Sequence, residues 1–289
     1  MKILVSNDDG INARGIHELV SALAQTEGAE IYVSAPHMQR SAAGHGMTLR
    51  ESLFVREVEF EGAVRAYEVS GTPTDCVKMG LYLLEEQGIK IDMVFSGINH
   101  GGNLGTDVIY SGTVAAALEG AIHGYPAVAV SVDIPQGETE PQHFEYAAQL
   151  TAKFAEHGFD KLSGTEKRSS GMEKEDREKS EFCGISKNTV ININVPDLPA
   201  DEIKGVKTLP LGPREYSDEY TVKETKDGKN EYGYRGMIVD IIGLPENLDA
   251  VQILNGYATV TPLKADLTDY ALMDDIAALT DSVAGSIVK

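Results

Sequence analysis

The chain has 289 residues, of which 42% are hydrophobic and 24% charged, enough apolar material for a substantial core and not the balance of a disordered or fibrous polypeptide. Asp plus Glu number 45 against 25 Lys plus Arg, a net charge of −20, and no Lys/Arg cluster interrupts it, which argues against a nucleic-acid polymer as partner. A small phosphorylated ligand stays open, because one metal ion or one helix end reverses the potential locally.

Short apolar runs alternate with helical patterns through the first half, the signature of βαβ units wound into a parallel sheet. Ile3 to Val5 is the first strand, and Ile16, Leu19, Val20 and Leu23 space a helix from Ile16 to Ala24. Glu30 to Ser34 is a second strand, followed by a polar loop from His37 to Gly46. The runs Leu53-Phe54-Val55 and Ala66-Tyr67-Glu68-Val69 either extend the sheet or form a hairpin.

Thr72-Pro73 opens a helix through Val77, Leu81, Leu83 and Leu84, with Pro where its missing N–H is harmless. Strand Ile91 to Phe95 leads into a Gly-rich stretch, Gly97 to Gly112, and then a small-residue helix through Ala115 to Ile122. Ala127 to Val132 reads as a buried strand, covered by a helix from about Phe144 to Phe154. From Ser163 to Ser180 the composition turns to Glu, Lys, Arg, Ser and Gly, as in a solvated, mobile insertion. Strand Val190 to Val195 follows, then a hairpin appendage between Pro213 and Val239 with an Asp227-Gly228 turn, strand Tyr257 to Val260, and a terminal helix from Asp269 to Lys289. The expected fold is a single doubly wound, Rossmann-like α/β domain over residues 1–289 with a C-terminal hairpin and helix appendage.

Cys76 and Cys183 sit in no CxxC or Cys/His spacing and read as reduced thiols. No apolar run approaches the roughly 20 residues of a membrane span, and Met1-Lys2 leads straight into a strand, so a soluble, cytoplasmic protein is expected.

In an open parallel sheet, ligands bind beyond the carboxyl ends of the strands. Asn7-Asp8-Asp9-Gly10 follows the first strand, Ser41 lies in the loop after the second, and Asn99 to Ser111 follows the strand ending at Phe95. Two adjacent carboxylates repel unless a divalent cation compensates them, and the carboxylate, hydroxyl and amide oxygens at this edge suit Mg²⁺ or Mn²⁺ rather than structural zinc. The alternative is that one Asp caps the following helix and the other is solvated. The Gly- and Asn-dense turn ends at Ser111-Gly112-Thr113, where a helix start offers free N–H groups to a phosphate, or where Ser111 is simply the cap. His37, His45 and His100 fall in loops near this edge, as acids, as substrate contacts or as ordinary surface histidines.

These segments resemble the SurE (survival protein E) family of 5'/3'-nucleotidases: NDDGINARGI is similar to its opening signature, APHMQRSAAGHGMT to its second motif, GTPTDCVKMG to its third and SGINHGGNLGTDVIYSGTVAAALEG to its long phosphate-site motif. PAVAVS, ININVP and GYATVTPLKADLTD match further signatures in the same order. The resemblance implies one Mg²⁺ or Mn²⁺ per subunit on Asp8, Asp9, Ser41 and Asn99, phosphate binding by Asn103, Ser111, Gly112 and Thr113, and catalysis through Asp8 and Asp9. It implies hydrolysis of nucleoside 5'- and 3'-monophosphates and a homodimer or homotetramer built through the appendage. His37 and His100 depart from the family's usual residues, which leaves base preference open. Two other readings are a receiver-like Mg²⁺-binding signalling module, which needs a phospho-accepting Asp and a Lys at this edge, and a nucleotide-binding protein without turnover.

Overall fold

The first strand, β1 (Lys2–Ser6), buries both of its faces: Ile3 and Val5 enter one hydrophobic cluster and Leu4 the other, as expected of a parallel strand covered by helices on both sides. The computed structural model describes residues 1–135, 140–168, 188–217, 219–226, 228–234, 236, 238–239 and 243–287. Among these residues β1 lies inside a nine-stranded sheet. Its order is β3 (Val55–Val58), β4 (Arg65–Val69), β2 (Glu30–Pro36), β1, β5 (Met93–His100), β6 (Ala127–Asp133), β7 (Thr189–Pro196), β11 (Ala258–Lys264) and β8 (Val206–Thr208). The strands from β4 to β7 run parallel, whereas β3 and β11 pair antiparallel with β4 and β7. The chain winds outward from β1 to β4, then returns to β5 on the other side of β1. The gap between β1 and β5 is therefore the switch point at which such sheets bind ligands.

Helices α1 (Arg14–Leu23) and α4 (Glu145–Arg168) cover one face, and α2 (Pro73–Glu86) and α3 (Gly112–Ile122) the other. α1 buries Ile16, Leu19, Val20 and Leu23, the residues whose spacing predicts it. α2 starts on a capping box: the Thr72 hydroxyl accepts from the Asp75 N–H, the Asp75 carboxylate accepts from the Thr72 N–H, and Pro73 takes the first turn. α3 buries Ala115, Ala116, Ala117, Gly120 and Ala121, small side chains that let its axis approach the sheet closely.

The structure redraws several boundaries. β5 runs on to His100, so the Gly-rich stretch begins inside the sheet. Ser96 pairs with Ala129 but Asn99 with Ser131, and that one-residue irregularity is a bulge that re-aims the end of β5. α3 starts at Gly112, where the Ser111-Gly112-Thr113 helix start is expected, and α4 continues past Phe154 to Arg168. Residues 163–168 of the expected mobile insertion are thus helical, and the rest of that segment, to Ser180, lies outside the described residues, as does Cys183. The runs around Val55 and Val69 do both things open to them, forming a hairpin that extends the sheet edge.

The expected appendage is a two-stranded antiparallel hairpin, β9 (Tyr220–Lys226) and β10 (Lys229–Tyr234), whose root is closed by a bridge between Tyr216 and Ile238. After α5 (Asp249–Leu254), β11 extends to Lys264, and Asp269 caps a short 3-10 turn that leads into α6 (Met273–Ile287). α6 presents Ile276, Leu279 and Val283 to solvent.

Candidate functional site

Asn7, Asp8 and Asp9 leave β1 in a tight turn in which the Asn7 side-chain amide donates to the Gly10 carbonyl at 2.8 Å. The helix that follows is capped at Ala13 without any side-chain bond, so neither aspartate is a helix cap. Asp8 faces the start of another helix and Asp9 the end of another strand instead. Asp8, 5% exposed, accepts a 2.5 Å hydrogen bond from the Thr113 hydroxyl on the first turn of α3. The β-carbon that Gly112 lacks would sit 2.9 Å from Asp8 Oδ2, so the missing methyl makes room for the carboxylate at the positive end of α3. Asp9 accepts from the His100 backbone N–H at 3.0 Å and from the Gln39 side chain at 3.1 Å. The Arg40 N–H donates to the Asp8 carbonyl at 2.7 Å, which brings the exposed Ser41, the next residue, to the same turn.

Burial pushes the Asp8 carboxyl up to about 7 and the neighbouring Asp9 charge adds to it, against the opposing pull of the Thr113 hydroxyl and amide. A carboxylate in that position lacks compensating positive charge. Asn99 donates its side-chain N–H to the Gly101 carbonyl at 2.6 Å, leaving its amide oxygen as the side chain's acceptor. Buried polar atoms without a hydrogen-bond partner gather at this edge as well, among them Ser6 Oγ, Asn7 Oδ1, Ser96 Oγ and His100 Nε2, the pattern of a site shaped for something besides its own fold. Among the described residues no group of three or more His, Cys, Asp or Glu is arranged to hold a metal. The donors here are two carboxylates with a hydroxyl and an amide, a hard-oxygen set that fits Mg²⁺ or Mn²⁺.

Ser111 is the N-cap of α3, its hydroxyl accepting from the Val114 N–H at 3.0 Å. Ser111, Gly112 and Thr113 thus stand together beside Asp8. Asn103 behaves differently. Its side chain donates to the Ser131 hydroxyl at 2.8 Å, its N–H donates to Asn194 Oδ1 at 2.7 Å, and its carbonyl accepts from Asn192 and Asn194. The Asn103 amide is therefore used to fasten the Gly-rich turn to the ends of β6 and β7. Ser131, Asn192 and Asn194 were not singled out from sequence; the available signal is the pair of Asn residues two apart within the otherwise apolar ININV strand, both buried.

Of the three histidines, His45 pairs with Glu119 at 2.9 Å and His100 with Glu140 at 3.1 Å, while His37 Nδ1 is buried without a partner. Glu119 is a hub. Its carboxylate, 5% exposed, also meets Lys78 at 2.9 Å and His123 at 3.3 Å, so it joins α2, α3 and the loop that carries Ser41. Burial would raise its pKa, but the hydrogen bonds from His45 and Lys78 and the charges of Lys78 and His123 outweigh that and hold it at about 2. Cys76 is a buried free thiol whose pKa burial pushes up, inert by that measure.

A protein-family model described as Survival protein SurE matches residues 3–218. The chain belongs to the SurE family. Among curated proteins this SurE-family chain is similar to the 5'-nucleotidase SurE of Petrotoga mobilis, 38% identical over 277 residues that cover 96% of this chain and 98% of that one. It is 40% identical to the 5'-nucleotidase SurE of Synechococcus sp. over 278 residues, 96% of each chain. Among solved structures, the SurE protein from Aquifex aeolicus shares the fold with a TM-score of 0.73 at 33% identity, covering 97% of this chain and 100% of that one. No helix among the described residues is long and apolar enough to cross a membrane.

Proposed function

We propose that the protein is a metal-dependent 5'-nucleotidase, hydrolysing nucleoside 5'-monophosphates, and 3'-monophosphates as well, to nucleoside and phosphate. The observation that carries this reading is the seating of Asp8 against the first turn of α3, with Asp9 bonded to the end of β5, at the switch point of the sheet. The full-length similarity to 5'-nucleotidases supports it.

Asp8, Asp9, Asn99 and Ser41 are the residues that would hold one Mg²⁺ or Mn²⁺. When bound there, the ion supplies charge neutralisation and polarisation of a phosphoryl oxygen. Phosphoryl transfer needs chiefly positioning and electrostatic stabilisation, and the chain provides both. The Gly112 and Ser111 segment presents the α3 terminus to the phosphate oxygens, Asn103 fixes the turn leading to it, and Asp8 takes the proton of the attacking water. With a polyanionic surface and a buried site, the substrate is a mononucleotide, met in the cytoplasm. We further propose a homodimer or homotetramer, because the hairpin and α6 expose Tyr220, Val222, Tyr232, Ile276, Leu279 and Val283 in a density that a second copy of the chain would cover.

The receiver-like reading is disfavoured because the strand beside β1 ends in Asn99 and His100 where that chemistry needs an aspartate. Binding without turnover is separated by assay. Phosphate release from AMP with Mn²⁺ is expected to stop on adding EDTA and to be abolished in Asp8→Asn and in Asp9→Asn, each with an unchanged far-UV spectrum. Full activity in both variants refutes the proposal.

A further inference from the structure

The Gly-rich turn is secured at its two ends, to the sheet by Asn103 and to α3 by Ser111, but between them Gly105 to Tyr110 arches outward, leaving Ile109 and Tyr110 about two-thirds exposed. What steadies the arch comes largely from the root of the hairpin appendage. The Asp249 carboxylate accepts from both the Gly105 N–H at 2.9 Å and the Gly212 N–H at 2.7 Å. A β-carbon at Gly105, whose φ is +52°, would fall 2.1 Å from the Gly212 carbonyl. The Thr106 hydroxyl donates to the Arg214 carbonyl at 2.7 Å, and the Tyr216 hydroxyl donates to Asp107 at 2.8 Å.

Arg214 closes this set. Its side chain is nine-tenths buried between two carboxylates, Nε lying 3.1 Å from Asp107 Oδ2 and Nη2 lying 3.4 Å from Asp133 Oδ1. Asp107 belongs to the arch. Asp133 ends β6 and lies against the start of the same turn, where a β-carbon at Gly102 would meet its Oδ1 at 2.3 Å. Arg214 is thus the shared counter-ion of two acids, one at the end of a sheet strand and one carried by the arch. Without it the two acids repel across a poorly solvated gap and the arch loses its clamp.

We infer that Arg214 is a positioning residue for the reaction, locking the turn between Asn103 and Ser111 so that the N-terminus of α3 meets the phosphate, and that the root of the appendage is therefore part of the active site. The inference rests on the nucleotidase reading for the identity of the anion. It assigns Arg214 no contact with substrate.

The test uses the full chain and inorganic phosphate as probe, measured by calorimetry with Mn²⁺ present and as a competitive inhibitor of AMP hydrolysis. Arg214→Met is expected to weaken phosphate binding and raise KM by about tenfold, with a smaller loss in kcat and an unchanged Mn²⁺ half-saturation, since the Arg214 side chain pairs with Asp107 and Asp133 and with neither Asp8 nor Asp9. Arg214→Lys restores part of the loss, because the charge returns without the planar fork. Asp107→Asn, which keeps the Tyr216 acceptor while cutting the Arg214 pair, is the second variant should Arg214→Met not fold, and is expected to weaken phosphate several-fold. Phosphate affinity unchanged in a folded Arg214→Met or Asp107→Asn overturns the inference, as does a parallel loss of Mn²⁺ affinity, which marks general disruption. A wild-type chain that binds phosphate but releases none from AMP overturns the nucleotidase reading instead, while leaving the calorimetric comparison to decide the role of Arg214.

Discussion

Replacing Glu119 by Gln removes one negative charge from a nearly closed junction and keeps its shape. The hub holds Lys78 and His45 at 2.9 Å each and His123 at 3.3 Å, and an amide offers a donor where one of these needs an acceptor. At about 1.4 kcal/mol per pH unit, a carboxyl moved from 4.5 to about 2 bounds the ionic contribution at roughly 3 kcal/mol. Lys78 and His45 remain about a third exposed and solvent screens them, which reduces the figure to about 1–2 kcal/mol. Because the folded-state pKa lies below the unfolded one, this stability is fully present above pH 4.5 and is lost as pH falls toward 2. Urea melts followed by far-UV circular dichroism are therefore expected to show Glu119→Gln less stable than wild type at pH 7, with a gap that narrows below pH 4.5. The loop bearing Ser41 keeps its other ties, from the Gly44 N–H to Tyr110, from the Thr72 hydroxyl to Gly46 and from the Thr48 N–H to Asp75, so kcat/KM should fall only a few-fold. A stability gap that does not change with pH, or no gap at pH 7, refutes the hub as an ionic junction.

Gly112→Ala places a methyl 2.9 Å from Asp8 Oδ2 and 3.1 Å from the Pro73 ring; overpacking of this kind costs about 1–3 kcal/mol, and displacing Asp8 by a fraction of an ångström is expected to cut kcat/KM by about a hundredfold, a loss that steady-state kinetics on AMP would register. Mn²⁺ at a hundred times its Kd is expected to stabilise the wild-type chain by about 2.7 kcal/mol, seen as a rise in Tm that EDTA reverses and that Asp8→Asn lacks; equal Tm shifts in the two proteins would place the ion elsewhere.

Much of the fold is legible in sequence because its elements carry strong local signals. α1 buries the residues its periodicity selects, α2 buries Val77, Leu81 and Leu84 and leaves Leu83 half-buried, and α2 begins on the Thr72-Pro73 signal that marks it. The bulge at the end of β5 is hidden, because Gly97 in an Asn- and Gly-rich run looks like a turn, and only the register against β6 reveals a continuing strand. In the site, Asp8 and Asp9 stand out as adjacent acids, and Ser111 to Thr113 as a helix start. Asn103 shows the limit of such reading: residue type marks it as polar and near the anion turn, but its partners Ser131, Asn192 and Asn194 lie 28 to 91 residues away. Arg214, Asp133 and Asp107 were invisible for the same reason, since each is an ordinary loop or strand-end charge until the chain brings the three together.

The arrangement also bears on how a chain of net charge −20 receives an anion. The α3 terminus that would hold a phosphate is already engaged by Asp8 through the Thr113 hydroxyl and amide, so carboxylate and phosphate compete for one patch of positive potential. On the function proposed above, a divalent cation held by Asp8 and Asp9 would relieve the competition, its charge offsetting the two carboxylates and leaving the helix terminus to the phosphate. Arg214 partly compensates the second acidic pair, Asp107 and Asp133, with a built-in cation. The Gly-rich turn thus meets two acid pairs: Asp107 and Asp133 have a cation of the fold between them, while Asp8 and Asp9 have none, and it is Asp8 and Asp9 that the proposed chemistry uses.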